Sequence, residues 1–231
     1  MAEISKLYEG TWRISEEKVC FFLLEGSDFA LLIDSGMETP NVKELAQTLT
    51  KLPIKLLNTH ADGDHTGCNY QFDEFYMNPA EATNYYKNMM HPGTGTIIPV
   101  EDKDIIDLGG RPLEVVSLAG HTPGSIGLID INNRALFSGD VVQNSTVYLF
   151  GPNRELHAYI LSLEKIGKMK DRFDIVYASH GDESVSPDII EPLKKGAEDV
   201  LAHRLPSEMC DVHGMQVPRY ELGVAGIYYD L

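Results

Sequence analysis

Two histidines and two aspartates fall within six residues in His60-Ala61-Asp62-Gly63-Asp64-His65. Imidazole nitrogens and carboxylate oxygens in that density are donors for a zinc, iron or manganese ion. His60 and Asp62 alternate, so an extended turn projects both to one side. Asp64 and His65 are adjacent and must diverge, which suits a second ion better than the first. Gly63 and Gly67 permit tight bends between them. A plainer use exists, since Asp, Gly and Thr are ordinary loop residues and the histidines can cap or pack. Three more candidate donors stand further along. His121 lies in the turn Ala119-Gly120-His121-Thr122-Pro123-Gly124-Ser125, Asp140 follows the apolar run Ala135-Leu136-Phe137, and His180 follows Ile175-Val176-Tyr177-Ala178-Ser179. Each stands just past an apolar run or in a glycine turn, where a sheet scaffold presents functional groups.

The elements that must carry these donors are short and apolar. Ile54–Leu57 reads as the buried strand that delivers His60. Before it, Gly10–Ile14 and Val19–Leu24 read as strands joined by the turn Ser15–Lys18, and Phe29–Ile33 as a third strand ending in Asp34-Ser35-Gly36. Thr39 as N-cap and Pro40 as first helical residue predict a helix with Val42, Leu45, Ala46, Leu49 and Leu52 on its apolar face. A short helix is expected near Thr66, then a strand over Glu74–Met77 and a helix over Pro79–Met90. The segment His91–Pro99 reads either as a lid or as a loop whose isoleucines pack down, and His91 is not counted as a ligand. Strands over Leu113–Ser117 and Ile126–Ile131 flank His121, and a hairpin through Asn132-Asn133 leads to Ala135–Phe137. A helix over Asn153–Met169 places His157 on its surface. The strand Asp174–Ala178 delivers His180, and Ser186-Pro187 opens a last helix buried through Ile190, Leu193, Ala197 and Leu201.

A weak repeat runs through this order. Leu31–Asp34, a helix and Ile54–His60 mirror Leu136–Asp140, a helix and Ile175–His180. In each half a strand ends near an Asp, a helix follows, and the next strand ends near a His.

Composition sets the surroundings. The 231 residues are 43% apolar, enough for a substantial core, and no linker is evident, so one domain over residues 1–231 is expected. No run of about 18 apolar residues occurs, so no membrane span is expected. The start Met1–Lys6 lacks a secretion-signal layout, and three scattered cysteines suit reduced thiols, so a cytoplasmic setting is expected. Cys68 reads either as a zinc ligand or as a small buried thiol. A net charge of −16 repels polyphosphate backbones and disfavours a nucleic-acid partner.

With its five motifs in order over most of residues 8–200, the chain resembles the metallo-β-lactamase-fold hydrolase superfamily. That group includes glyoxalase II-like thioesterases, lactonases, nucleases and flavodiiron proteins. The resemblance implies an α/β fold, an αββα sandwich of two mixed sheets packed face to face with helices outside. It implies two divalent metal ions, with His60, Asp62 and His121 on one, Asp64, His65 and His180 on the other, and Asp140 bridging. Zinc is the first expectation for the metal, iron and manganese the alternatives. Position 62 departs from the pattern, where most members carry His. Flavodiiron proteins carry Glu there, but this chain is too short for their flavin domain. Asp62 adds a negative charge that makes the site less electrophilic. The implied reaction is hydrolysis of a small ester, thioester or lactone by a hydroxide held between the ions, with Asp64 and Asp140 in catalytic roles. A phosphoester hydrolase and a metal-binding regulator or sensor with little turnover are the alternatives. Asp34 reads either as support for a ligand or as a strand-end turn. The short tail after Leu205 lacks the basic helical extension that glyoxalase II members use for glutathione. A small-molecule substrate is expected, with a homo-oligomer as the alternative to a monomer.

Overall fold

A computed structural model describes residues 2–87 and 95–230 of the protein. The chain forms two compact units, Met1–Val116 with Asp130–Asn132, and Ser117–Ile129 with Asn133–Leu231.

In the first unit, β1 (Glu3–Tyr8), β2 (Thr11–Ser15), β3 (Cys20–Glu25) and β4 (Ala30–Ile33) run antiparallel to their neighbours. Then β5 (Ile54–Leu57), β6 (Glu74–Met77) and β7 (Thr96–Pro99) continue the sheet in parallel, giving seven mixed strands in chain order. The middle strands carry near-continuous apolar runs because both faces are covered: every residue of β4 is buried. Ile14, Phe21, Leu23, Leu32, Leu56 and Phe75 belong to one hydrophobic cluster with Val42 and Ala46 of α1 (Val42–Gln47). Helices α2 (Gly63–Thr66) and α3 (Ala82–Lys87) are short. A last pair, β8 (Ile105–Asp107) and β9 (Pro112–Ser117), is antiparallel.

One buried ion pair ties this unit together. Arg111, on the turn before β9, gives Nε and Nη2 to Asp130 Oδ2 at 2.9 and 2.6 Å. Its remaining donors reach the Gly10 and Glu25 carbonyls at 2.7 and 2.9 Å and Thr11 Oγ1 at 2.6 Å. The guanidinium's fork is thereby spread over acceptors from three separate stretches of chain, which is what makes burying it tolerable.

In the second unit, β13 (Ile175–Tyr177), β11 (Ala135–Phe137) and β10 (Ile126–Asp130) are neighbours in one sheet. A separate four-stranded sheet follows the order β12 (Thr146–Tyr148), β16 (Gly226–Tyr228), β15 (Met215–Glu221), β14 (Ser207–Val212). Helix α4 (Leu156–Gly167) packs on α5 (Ile190–Leu201).

The repeat in the sequence is a repeat in structure. Ala30–Ile33 pairs in parallel with Ile54–Leu57 across a connection containing α1. Ala135–Phe137 pairs in parallel with Ile175–Tyr177 across a connection containing α4. Both are strand–helix–strand units.

Several sequence expectations are corrected. Thr39 does not cap α1, because its N–H goes to Glu16 Oε1 at 2.8 Å, and the helix starts two residues later, after Asn41. Glu16 also accepts the N–H groups of Met37 and Glu38, so one carboxylate organises that loop. Residues 96–99 are strand β7, with Ile97 packed on the core, not a lid. Positions 91–94 of the lid reading, and the end of the helix expected to Met90, lie outside the described residues. Strand β1, strand β12 and the three strands of the tail were not anticipated. Among the described residues no helix is long and apolar enough to cross a membrane.

Candidate functional site

In the first unit, adjacent parallel strands bring Asp34 and Thr59 together. Asp34 follows β4 in the left-handed region (φ 64°), a conformation that Asp tolerates better than most residues, and its N–H donates to Leu57 O of β5 at 2.7 Å. Its buried carboxylate accepts from Thr59 N at 2.7 Å and Thr59 Oγ1 at 2.8 Å, and meets His65 Nδ1 at 2.8 Å. A carboxylate can only accept, so the proton of His65 sits on Nδ1 and its Nε2 keeps a lone pair. The same reasoning extends one bond further. Thr59 Oγ1 has spent its hydrogen on Asp34, so towards His60 Nδ1, 3.0 Å away, it is an acceptor. His60 therefore carries its proton on Nδ1 as well, leaving Nε2 as a ligand atom.

Nε2 of His60 lies 3.6 Å from Asp62 Oδ2, and Nε2 of His65 lies 3.7 Å from Asp64 Oδ2. Asp62 stands at the N-cap of α2 yet makes no side-chain cap hydrogen bond. Its carboxylate faces the imidazole instead. The two rings sit with centroids 4.0 Å apart. The turn between them is held by a buried polar frame that the sequence reading missed. Asn58 Nδ2 and Ser35 N both donate to His65 O at 2.9 Å, Asn69 Nδ2 donates to Asn58 Oδ1 at 2.7 Å, and Glu81 Oε2 accepts from Ala61 N at 2.9 Å. Asn58 adjoins the ligand motif in sequence; Asn69 and Glu81 carry no local signal. Gly67 is required here, because a Cβ would stand 2.9 Å from backbone atoms of Gly36, Gly63 and Met37.

In the second unit, Gly120 (φ 136°) sets up His121; a Cβ on it would lie 2.4 Å from the backbone of Tyr159. His121 Nδ1 donates to Tyr148 O at 2.8 Å, a carbonyl that can only accept, so this ring too presents Nε2. Asp140 follows Gly139 (φ 54°) at the end of β11, and Ser179 N donates to Gly139 O at 3.1 Å, aligning the two strand ends. Asp140 Oδ2 lies 3.6 Å from His121 Nε2 and 3.2 Å from His180 Nε2. Asn144 pins the loop past His180, giving Nδ2 to Asp182 Oδ2 at 2.6 Å and accepting Asp182 N at 3.0 Å.

These donors fit a metal. Two ligands at about 2.1 Å from one tetrahedral ion are about 3.4 Å apart. The four imidazole–carboxylate separations, 3.6, 3.7, 3.6 and 3.2 Å, bracket that value. Three of the four histidines have Nδ1 anchored by an oxygen, the arrangement by which proteins orient metal-bound imidazoles. Cys68 does not join them. It is buried, its thiol directed at Thr39 O at 3.1 Å and pushed up to about 11 by burial, with the charge of Glu16 adding to the rise. His157 is exposed, as expected.

A sequence model described as the metallo-beta-lactamase superfamily matches residues 19–181. The chain belongs to the metallo-beta-lactamase superfamily. As a member it is a hydrolase, and its fold is one that binds divalent metal. A metallo-beta-lactamase from Pontibacter korlensis shares the fold with a TM-score of 0.74 at 20% identity, covering 86% of this chain and 100% of that one. Among curated superfamily relatives, human acyl-coenzyme A thioesterase MBLAC2 is 26% identical over 197 residues, 68% of this chain and 70% of that protein. Hydroxyacylglutathione hydrolase GloC of Haemophilus influenzae is 26% identical over 183 residues, 70% of this chain and 84% of that protein.

Proposed function

We propose that this superfamily member is a binuclear metal-dependent thioesterase acting on a small acyl thioester. The observation that carries the binuclear reading is the matched tautomers: His60, His65 and His121 each have Nδ1 tied to an oxygen and Nε2 beside a carboxylate. In this reading His60, Asp62 and His121 would hold one ion and Asp64, His65 and His180 the other, with Asp140 available to both. Two bound divalent ions supply a nucleophile from water near neutral pH and a Lewis acid for the carbonyl oxygen.

The chain's own residues do the rest. Asp34 fixes the ring of His65, Thr59 that of His60, and the Tyr148 carbonyl that of His121. Asp64 can pass a proton to the departing group. Asp62, Asp64 and Asp140 place three negative charges against the four positive charges of two divalent ions. That lowers the electrophilicity of the site relative to one with His at position 62. Such a site suits a substrate whose leaving group needs little help, and a thiolate, with a conjugate acid near pKa 8.5, leaves far more easily than an alkoxide. The names of the two curated relatives, both thioester hydrolases, support the same choice.

Metal analysis of protein purified without an affinity column should give about two ions per chain. Turnover of generic acyl thioesters should exceed that of matched oxygen esters and disappear with chelator. One ion at saturation would sink the binuclear centre, and preference for oxygen esters or phosphoesters would sink the thioesterase.

A further inference from the structure

We propose that Tyr148, Phe150 and Tyr228 form the platform on which the acyl chain of the substrate lies, an assignment that rests on the thioesterase reading and adds the acyl class to it. The three rings make a continuous cluster in the second unit. Tyr148 and Tyr228 meet edge to face with centroids 5.0 Å apart, Phe150 lies 5.7 Å from Tyr148, and Phe150 and Tyr228 are 6.1 Å apart. The cluster is set by strand register, because Tyr148 and Tyr228 are paired residues of the parallel strands β12 and β16.

Two features distinguish this cluster from core. Its rings are only partly covered: Tyr148 is 36% exposed, and Phe150 and Tyr228 are half-buried. In β12 the alternate residue, Val147, is fully buried, so the pleat sends Tyr148 to the solvated face. Partly solvated aromatic faces gain most from an apolar occupant.

The cluster is also joined to the chemistry by a single peptide. The carbonyl of Tyr148 accepts from His121 Nδ1 at 2.8 Å, so the residue that orients a candidate ligand carries the first ring of the platform. On the other side of the same loop, Arg154 Nη1 donates to His121 O at 2.5 Å. Both the platform residue Tyr148 and the Arg154 guanidinium are thus attached directly to His121, one through its ring and the other through its carbonyl. A flexible alkyl or aryl acyl group fits the rings, and a polar or charged acyl group does not. The predicted specificity is for acyl groups of several carbons over acetyl.

The test compares straight-chain acyl thioesters from acetyl to decanoyl, and separately the binding of the corresponding free carboxylates to the metal-loaded protein by calorimetry. In the wild type, kcat/KM and carboxylate affinity should rise about two- to fourfold per added methylene until the platform is covered. Phe150→Ser and Tyr228→Thr, made separately so that one misfolded variant does not end the test, should each flatten that rise. Met215→Ala, an exposed apolar residue at the turn end of the β14–β15 hairpin and outside the stretch of β15 paired with β16, should leave it intact. No rise with chain length in the wild type, or an unchanged rise in both folded platform variants, overturns the proposal. If no thioester turns over but carboxylate affinity still climbs and the variants abolish the climb, the platform stands and the thioesterase reading falls.

Discussion

The replacement Asp34→Asn tests the tautomer argument directly. Asparagine is nearly isosteric and shares the tolerance of aspartate for the left-handed backbone found at this position (φ 64°). The amide oxygen can still accept from Thr59 N, now 2.7 Å from Oδ1. The amide nitrogen then faces His65 Nδ1 and Thr59 Oγ1, both of which donate to Asp34 Oδ2 in the native protein. A donor there drives the imidazole proton to Nε2, the atom that should bind metal, and turns the Thr59 hydroxyl towards His60. Losing a carboxylate that supports a metal-bound histidine costs about 10–100-fold in metal affinity, or about 1.4–2.7 kcal/mol. Chelator competition on the metal-loaded protein should show metal released that much more readily, while the metal-free proteins differ in Tm by only a few degrees. Asp34→Ala would be a poorer probe, because leaving Thr59 N–H and His65 buried without an acceptor costs about 1–3 kcal/mol each and mixes stability with affinity. Unchanged competition curves for Asp34→Asn would refute the assignment of Nε2 as the ligand atom.

Three further outcomes follow from the same geometry. Asp140→Ala removes the carboxylate shared by His121 and His180 and should abolish turnover with little change in circular dichroism; wild-type rates in that variant would dismiss the bridge. Asp62→His takes one negative charge from the proposed first site, so metal content should shift towards zinc and the acidic limb of the pH–rate profile should move to lower pH. An acidic limb that stays put or rises with two ions still bound would show that Asp62 does not tune the nucleophile. Cys68, with its thiol pushed up to about 11, should be only about one part in a thousand thiolate at pH 8, so iodoacetamide should label the partly exposed Cys210 first and Cys68 only on unfolding. Equal labelling of the two in the native protein would contradict the burial described.

What could be read from the sequence, and what could not, divides along physical lines. The candidate donors were legible because each stands just past a short apolar run that reads as a buried strand or in a glycine turn, where a sheet scaffold presents functional groups. Glu74–Met77 and Ala135–Phe137 were read to the residue for the same reason. Strand β1 was missed because none of its residues is fully buried, so it shows no clean alternation. Strand β14 is largely exposed and β15 buries only Val217 and Tyr220, three positions apart, so neither shows a period of two, and their pairing comes from a hairpin. The start of α1 was misplaced because Thr39 and Pro40 look like an opening, while the decisive acceptor, Glu16, lies 23 residues upstream of Thr39. Asn69 and Glu81 escaped for a related reason: buried polar frames are assembled by the fold, and nothing in their neighbours marks them.

The path of the chain also dictates an order of events during synthesis. The first unit includes Asp130, and that carboxylate is the counter-charge of the buried Arg111 guanidinium. A nascent chain that has emerged only to Val116 has every strand of the seven-stranded sheet but must bury a guanidinium without its carboxylate, a penalty of about 3–5 kcal/mol. That is a large share of the total stability of an ordinary domain. The amino-terminal half is therefore held incomplete until Asp130 has left the ribosome, by which time Gly120, His121 and the strand β10 have been delivered as well. A fragment ending at residue 116 should for the same reason be a poor autonomous folder, and one extended to residue 132 a better one.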